Sequence, residues 1–123
     1  MDEIIHKEES YEIVGAAMTV YNELGFGFLE KVYERALAYE LVDRGFRVDA
    51  QKPIQVYFRD RIVGDYYCDL IVNNQILLEL KSGENIPKTA ITQVVNYLKA
   101  TRLKLGIILN FAPNDLQYKR VVL

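Results

Sequence analysis

One cysteine, Cys68, stands in the whole chain, so no internal disulfide is possible and a reducing compartment is the expected setting. No run approaches the ~20 apolar residues that a membrane span needs. The first residues, Met-Asp-Glu-Ile-Ile-His-Lys-Glu-Glu, lack the basic region and apolar stretch of a signal peptide, and a cytoplasmic location is expected. Neither sign of charge dominates. Fifteen lysines and arginines against seventeen aspartates and glutamates leave a net charge of −2. Bulk electrostatics therefore gives no strong, indiscriminate grip on duplex nucleic acid, although a small basic patch can still sit beside an acidic site. Internal repeats, low-complexity tracts and linkers are absent too.

What is present is an ordinary globular composition: 123 residues, half of them hydrophobic and 26% charged. That length supports one core and one domain, residues 1–123. Apolar spacing predicts a helix over about Glu8–Leu24, with Ile13, Ala17, Val20, Tyr21 and Leu24 on one stripe. Gly25-Phe26-Gly27-Phe28 breaks it, and a second helix runs from about Leu29 to Arg44, ended by Gly45. Strand-like segments follow at Phe46–Ala50, Ile54–Arg59, Ile62–Val72 and Ile76–Lys81. A third helix spans about Lys88–Ala100, and strands at Leu105–Phe111 and Tyr118–Val122 close the chain. This order predicts an α+β fold, an α/β/α sandwich around a mixed sheet.

The most informative stretch is Asp65–Lys81. Asp69, Glu79 and Lys81 interrupt what otherwise reads as an apolar hairpin, and buried charges cost stability unless something binds them. Register decides whether the two acids meet, because side chains alternate faces along a strand. A two-residue turn at Asn73-Asn74 pairs Asp69 with Leu78 and separates it from Glu79. A three-residue connection, Asn73-Asn74-Gln75, pairs Val72 with Ile76 and sets Asp69 opposite Glu79. It also gathers Cys68, Leu70, Val72, Ile76, Leu78 and Leu80 on one apolar face, so the odd connection is the expected one. Two carboxylates are hard ligands that suit Mg²⁺ or Mn²⁺. Lys81, two residues beyond Glu79, emerges on the same side and is placed to orient a water or to stabilise charge on a phosphodiester. Glu-x-Lys taken alone is common on solvated strand faces.

Glu30 and Glu34 lie one helical turn apart, on a stripe continued by Leu37 and Leu41. Either can complete a carboxylate site, and Glu30, nearer the glycine break, is the preferred candidate. The competing reading is acids that complement the helix dipole. Gln93 and Tyr97 share a face of the third helix and are candidates for contact with a phosphate or a base edge. His6 is solitary, Cys68 reads as a small buried hydrophobe, and the nine tyrosines show no spacing of a base-stacking platform. Lys99, Arg102 and Lys104, and Lys119 with Arg120, read as solvated charge.

Several motifs in order carry a resemblance. They are Gly25-Phe-Gly-Phe-Leu-Glu-Lys-Val-Tyr-Glu-Arg-Ala-Leu, Asp69, Glu79-Leu-Lys81, Gln93-x-x-x-Tyr97 and Gly106-Ile-Ile-Leu-Asn-Phe111. Over about Glu8–Val122 the chain resembles the small GxxExxK proteins and, through them, the PD-(D/E)XK nuclease-like superfamily. The resemblance implies a restriction-endonuclease-like fold, with Asp69 and Glu79 as metal-binding acids, Lys81 as the catalytic lysine and Glu30 as the helix acid. Gln93 and Tyr97 then match a Gln-x-x-x-Tyr signature that contacts substrate. Mg²⁺ or Mn²⁺ is the implied cofactor and DNA or RNA the implied partner. Two positions depart from the pattern. Tyr33 stands where the GxxExxK lysine belongs, and Cys68 stands where the superfamily's proline precedes the first aspartate. The expected function is metal-dependent phosphodiester hydrolysis. The alternative is a nuclease-fold module that binds nucleic acid or protein with little or no catalysis. A domain this small needs a partner to encircle duplex DNA, so a homodimer is expected.

Overall fold

Residues 4–123, which the computed structural model describes, follow the order α1 (Lys7–Leu24), α2 (Glu30–Asp43), β1 (Val48–Phe58), β2 (Arg61–Val72), β3 (Ile76–Lys81), α3 (Lys88–Thr101), β4 (Leu105–Phe111) and β5 (Leu116–Val122). The strands lie side by side as β1-β2-β3-β4-β5, antiparallel except for the parallel pair β3–β4. A parallel pair needs a crossover, and α3 supplies it. Glycine sets the helix boundaries. Gly25, at φ 72°, returns its N–H to Tyr21 O, and Gly45, at φ 96°, lets Phe46 N–H reach back to Leu41 O.

Two apolar cores enclose the sheet. On one face α1 and α2 contribute Ile13, Ala17, Tyr33, Leu37 and Leu41 against Leu70, Val72, Leu78, Leu80 and Phe111. On the other, α3 contributes Val94, Tyr97 and Leu98 against Ile71, Leu77 and Ile108. The arrangement is the expected α/β/α sandwich with a mixed central sheet.

Three expectations are corrected in detail. Phe46–Ala50 and Ile54–Arg59 are not two strands: β1 runs continuously through Pro53. As an edge strand β1 tolerates a residue without an amide proton. Cys68 does not share a face with Leu70 and Val72; it is buried on the α3 side with Ile71 and Leu77. Face alternation breaks at this point because β1–β2 pairing lapses between Ala50↔Leu70 and Lys52↔Cys68, where Gln51 adopts φ 51°. The stripe running from Glu30 to Leu41 also does not lie uniformly inward. Glu34, Leu37 and Leu41 are buried, whereas Glu30, the first helical residue, is exposed.

Candidate active site

The register of β2 and β3 creates the site. Val72 pairs with Ile76 and Leu70 with Leu78 across the three-residue connection, and Asn73 and Asn74 both hold positive φ there. Asparagine tolerates that conformation better than most residues. The ladder stops at Leu70↔Leu78, one step short of Asp69 and Glu79. There the Asp69 carboxylate replaces a backbone acceptor: its Oδ2 accepts the Leu80 N–H at 2.7 Å. The two strands separate, and the opening between them is lined by the acids.

The opening is a cavity of about 220 Å³ bordered by Asp69, Glu79 and Lys81 from the sheet and by Glu30, Lys31 and Glu34 from α2. Glu34, not Glu30, is the deeper of the helix acids. It is 6% exposed, accepts from Lys31 Nζ at 3.0 Å, and receives the Gln51 amide at 2.5 Å. Glu30 stands at the exposed rim of the same cavity. The strained φ of Gln51 thus brings a donor to Glu34 at the break in β1–β2 pairing.

Glu79 is 6% exposed, and its Oε1 is buried with no hydrogen-bond partner, while Oε2 lies 3.9 Å from Lys81 Nζ. Burial foremost, and then the neighbouring Asp69, push its carboxyl up to about 8, against the opposing pull of Lys81. Asp69 is raised as well, chiefly by burial, with the Leu80 amide acting in the other direction. A buried carboxyl oxygen without a hydrogen-bond partner is costly unless a proton or a cation neutralises it. The set of hard oxygens fits Mg²⁺ or Mn²⁺. Among the described residues, however, no three His, Cys, Asp or Glu side chains are already gathered around one point as metal ligands.

Gln93 and Tyr97 lie on the α3 side of the sheet. Gln93 Nε2 donates to Tyr97 Oη at 2.6 Å, and burial followed by Glu79 raises the Tyr97 hydroxyl. Lys81 borders both this region and the carboxylate cavity. Cys68, also near both acids, is pushed up to about 12, mainly by burial, so it stays a protonated core residue.

Sequence reasoning missed one supporting group. Asn110, fully buried, accepts the Gly83 N–H and donates to Gly83 O, both at 2.9 Å, and donates to Gln117, which in turn binds Glu84 O. This clamp fixes the segment directly after Lys81. A lone asparagine within the apolar Leu105–Phe111 strand was the available signal.

The departure at Tyr33 is also explained. Its ring is fully buried and stacks on Phe111 at 4.2 Å, and its hydroxyl donates to Gly25 O at 2.5 Å. A core position pinned to the glycine break has no place for a lysine.

The chain matches no curated protein. Among solved structures, the crystal structure of SSO0001 superimposes with a TM-score of 0.62 at 14% identity, a likeness of fold, and the alignment covers 95% of this chain. The chain spans 60% of the length of that one. The sequence model of the PD-(D/E)XK nuclease superfamily matches residues 7–121, where the hairpin acids, Lys81 and the sandwich around them all lie. The chain belongs to the PD-(D/E)XK nuclease superfamily.

Proposed function

We propose that this domain is a Mg²⁺- or Mn²⁺-dependent phosphodiesterase acting on DNA or RNA, with Asp69 and Glu79 as the metal-binding acids and Lys81 as the catalytic lysine. One observation carries the reading: the buried, unpartnered Glu79 Oε1 beside Asp69, in an opening whose far wall is acidic. Asp69 has one oxygen engaged by the Leu80 amide and the other available, so both acids can offer an oxygen without dismantling the sheet. When bound there, a divalent ion supplies Lewis-acid charge and lowers the pKa of a coordinated water. Lys81, 31% exposed along its side chain, faces the phosphate, holds it or its water in place, and offsets developing negative charge. Glu34 and Glu30 add negative potential on the helix side, Glu34 from within and Glu30 from the rim. Gln93 and Tyr97 form the substrate-facing wall beyond Lys81. A single domain presents this site to a strand directly, and a homodimer is the form suited to duplex.

Cleavage of labelled DNA and RNA with Mn²⁺, compared with Lys81→Ala, tests this. Loss of at least about 100-fold in rate with retained metal binding is expected, the scale of one lost positioned catalytic group. Clean protein that binds no Mn²⁺ in calorimetry removes the basis of the proposal. A second reading, a binding module of nuclease fold with weak catalysis, is favoured by the absence of three pre-gathered ligands among the described residues and by the Lys31 and Gln51 contacts that occupy Glu34. It predicts nucleic-acid binding that survives Asp69→Ala.

A further inference from the structure

Lys81 borders the carboxylate cavity on one side only. On the α3 side the same lysine borders a second cavity of about 380 Å³, walled by Tyr66 of β2 and by Gln93, Asn96 and Tyr97 of α3. Its volume falls in the range, roughly 300–1,000 Å³, of pockets that receive small ring compounds. Strand and helix each bring one aromatic ring. The Tyr66 and Tyr97 centroids lie 5.8 Å apart at 47°, although the two residues are 31 positions distant and share no spacing in the sequence. Tyr97 is almost fully buried and tethered by Gln93, whereas Tyr66 is 47% exposed.

Gly64 makes that placement of Tyr66 possible. A Cβ at Gly64 would lie 2.9 Å from the Tyr66 ring and 3.2 Å from Val56 Cβ, so the ring lies over bare backbone. The result is a pre-placed aromatic face at the mouth of a cavity whose other walls carry amide groups.

We propose that this second cavity receives an unpaired nucleobase of a single-stranded nucleic acid, stacked on Tyr66 with its polar edge toward the Gln93 and Asn96 amides. The base belongs to the nucleotide whose phosphate faces Lys81. An aromatic face captures a base only when that base is out of its own stack, which excludes the interior of a duplex. Primary amides both donate and accept, so they match the edge of any base without selecting one. With a net charge of −2, phosphate attraction alone is weak, and stacking supplies the affinity that charge does not. DNA and RNA share this chemistry. The proposal relies on the hydrolase reading for the position of the phosphate but not for the capture of the base.

Fluorescence anisotropy tests it with four short labelled probes: an oligothymidylate, an oligouridylate, an abasic sugar-phosphate strand of equal length and a duplex. The oligothymidylate, the oligouridylate or both are expected to bind at least about tenfold tighter than the abasic strand and the duplex, as for loss of stacking. Comparison of the two base-bearing strands tells DNA from RNA. Tyr66→Ala erases the preference, Tyr66→Phe retains it, and Gly64→Ala weakens it by displacing a ring that is still present. If Tyr66→Ala does not fold by circular dichroism, Gly64→Ala and Asn96→Ala decide the matter. Equal binding of base-bearing and abasic strands, a preference for duplex, or no binding to any probe overturns the inference. Parallel Mn²⁺ cleavage assays separate the two proposals: cleavage with no binding preference for base-bearing over abasic strands sinks this one alone, and that preference without cleavage sinks the hydrolase reading alone.

Discussion

Glu79 ties stability to pH and to metal. Its carboxyl titrates near 8 in the folded chain against 4.5 for an ordinary glutamate, so between those values the folded state holds a proton that the unfolded state has released. The stability from this group is fully present below about pH 4.5 and is lost as pH rises through about 8, a change of a few kcal/mol at most. Thermal denaturation of metal-free protein is therefore expected to show Tm falling from pH 6 to pH 9. Glu79→Gln flattens that slope, and added Mn²⁺ raises Tm more at the alkaline end, where no proton competes. Tyr33 gives a second expectation at this scale. Tyr33→Lys, which writes the literal Gly-x-x-Glu-x-x-Lys spacing into Gly27–Tyr33, costs at least about 3 kcal/mol in urea denaturation, because it empties a stacked core position and buries a charge. Asp69, Glu79 and Lys81 were legible one residue at a time, since charge inside an apolar hairpin stands out. The depth of Glu34 relative to Glu30 was not, because it depends on where α2 begins and on Gln51, which lies 17 residues beyond Glu34.

At the scale of elements, the junction of β3 with α3 positions the chemistry. Lys81 ends β3, and the next six residues cross toward α3 under the grip of Asn110. Asn110→Ala is expected to cost about 1–3 kcal/mol, the cost of leaving half-buried Gly83 without its partners. Faster hydrogen exchange at Gly83 is the local readout, with cleavage reduced through misplacement of Lys81. Helix and strand identities were readable from periodicity: α3, with Val94 and Leu98 buried, matches its expected span closely. The continuity of β1 was hidden because Pro53 is ordinarily a strand breaker, and only its edge position makes it harmless. The face of Cys68 was hidden for a related reason. Alternation counts two residues per repeat, and the lapse at Gln51 is a tertiary event with no signature in the hairpin's own sequence.

The whole molecule is a sheet covered on both sides, and the carboxylate cavity and the tyrosine-walled cavity both border one lysine at the end of a central strand. Among the described residues no helix is long and apolar enough to cross a membrane. With so little excess charge, nucleic-acid affinity is expected to vary shallowly with salt. A slope of about −1 to −3 in log K against log salt corresponds to roughly one to three phosphate contacts. A titration series by anisotropy measures it, and a steep slope would point to a basic track contributed by a partner or second copy. The double covering also bears on how the hairpin finds its alignment. Leu77 is fully buried on the α3 side, and Ile76, Leu78 and Leu80 are buried on the other. Greasiness alone would accept β3 turned over, since either parity of the Asn73–Gln75 connection buries leucines on both faces. Only Glu79 and Lys81 object, because inversion would set them in the apolar core that Leu78 and Leu80 now fill. The residues proposed for catalysis are thus also the ones that tell the strand which way up to lie, and a chain stripped of them would lose its alignment key along with its chemistry.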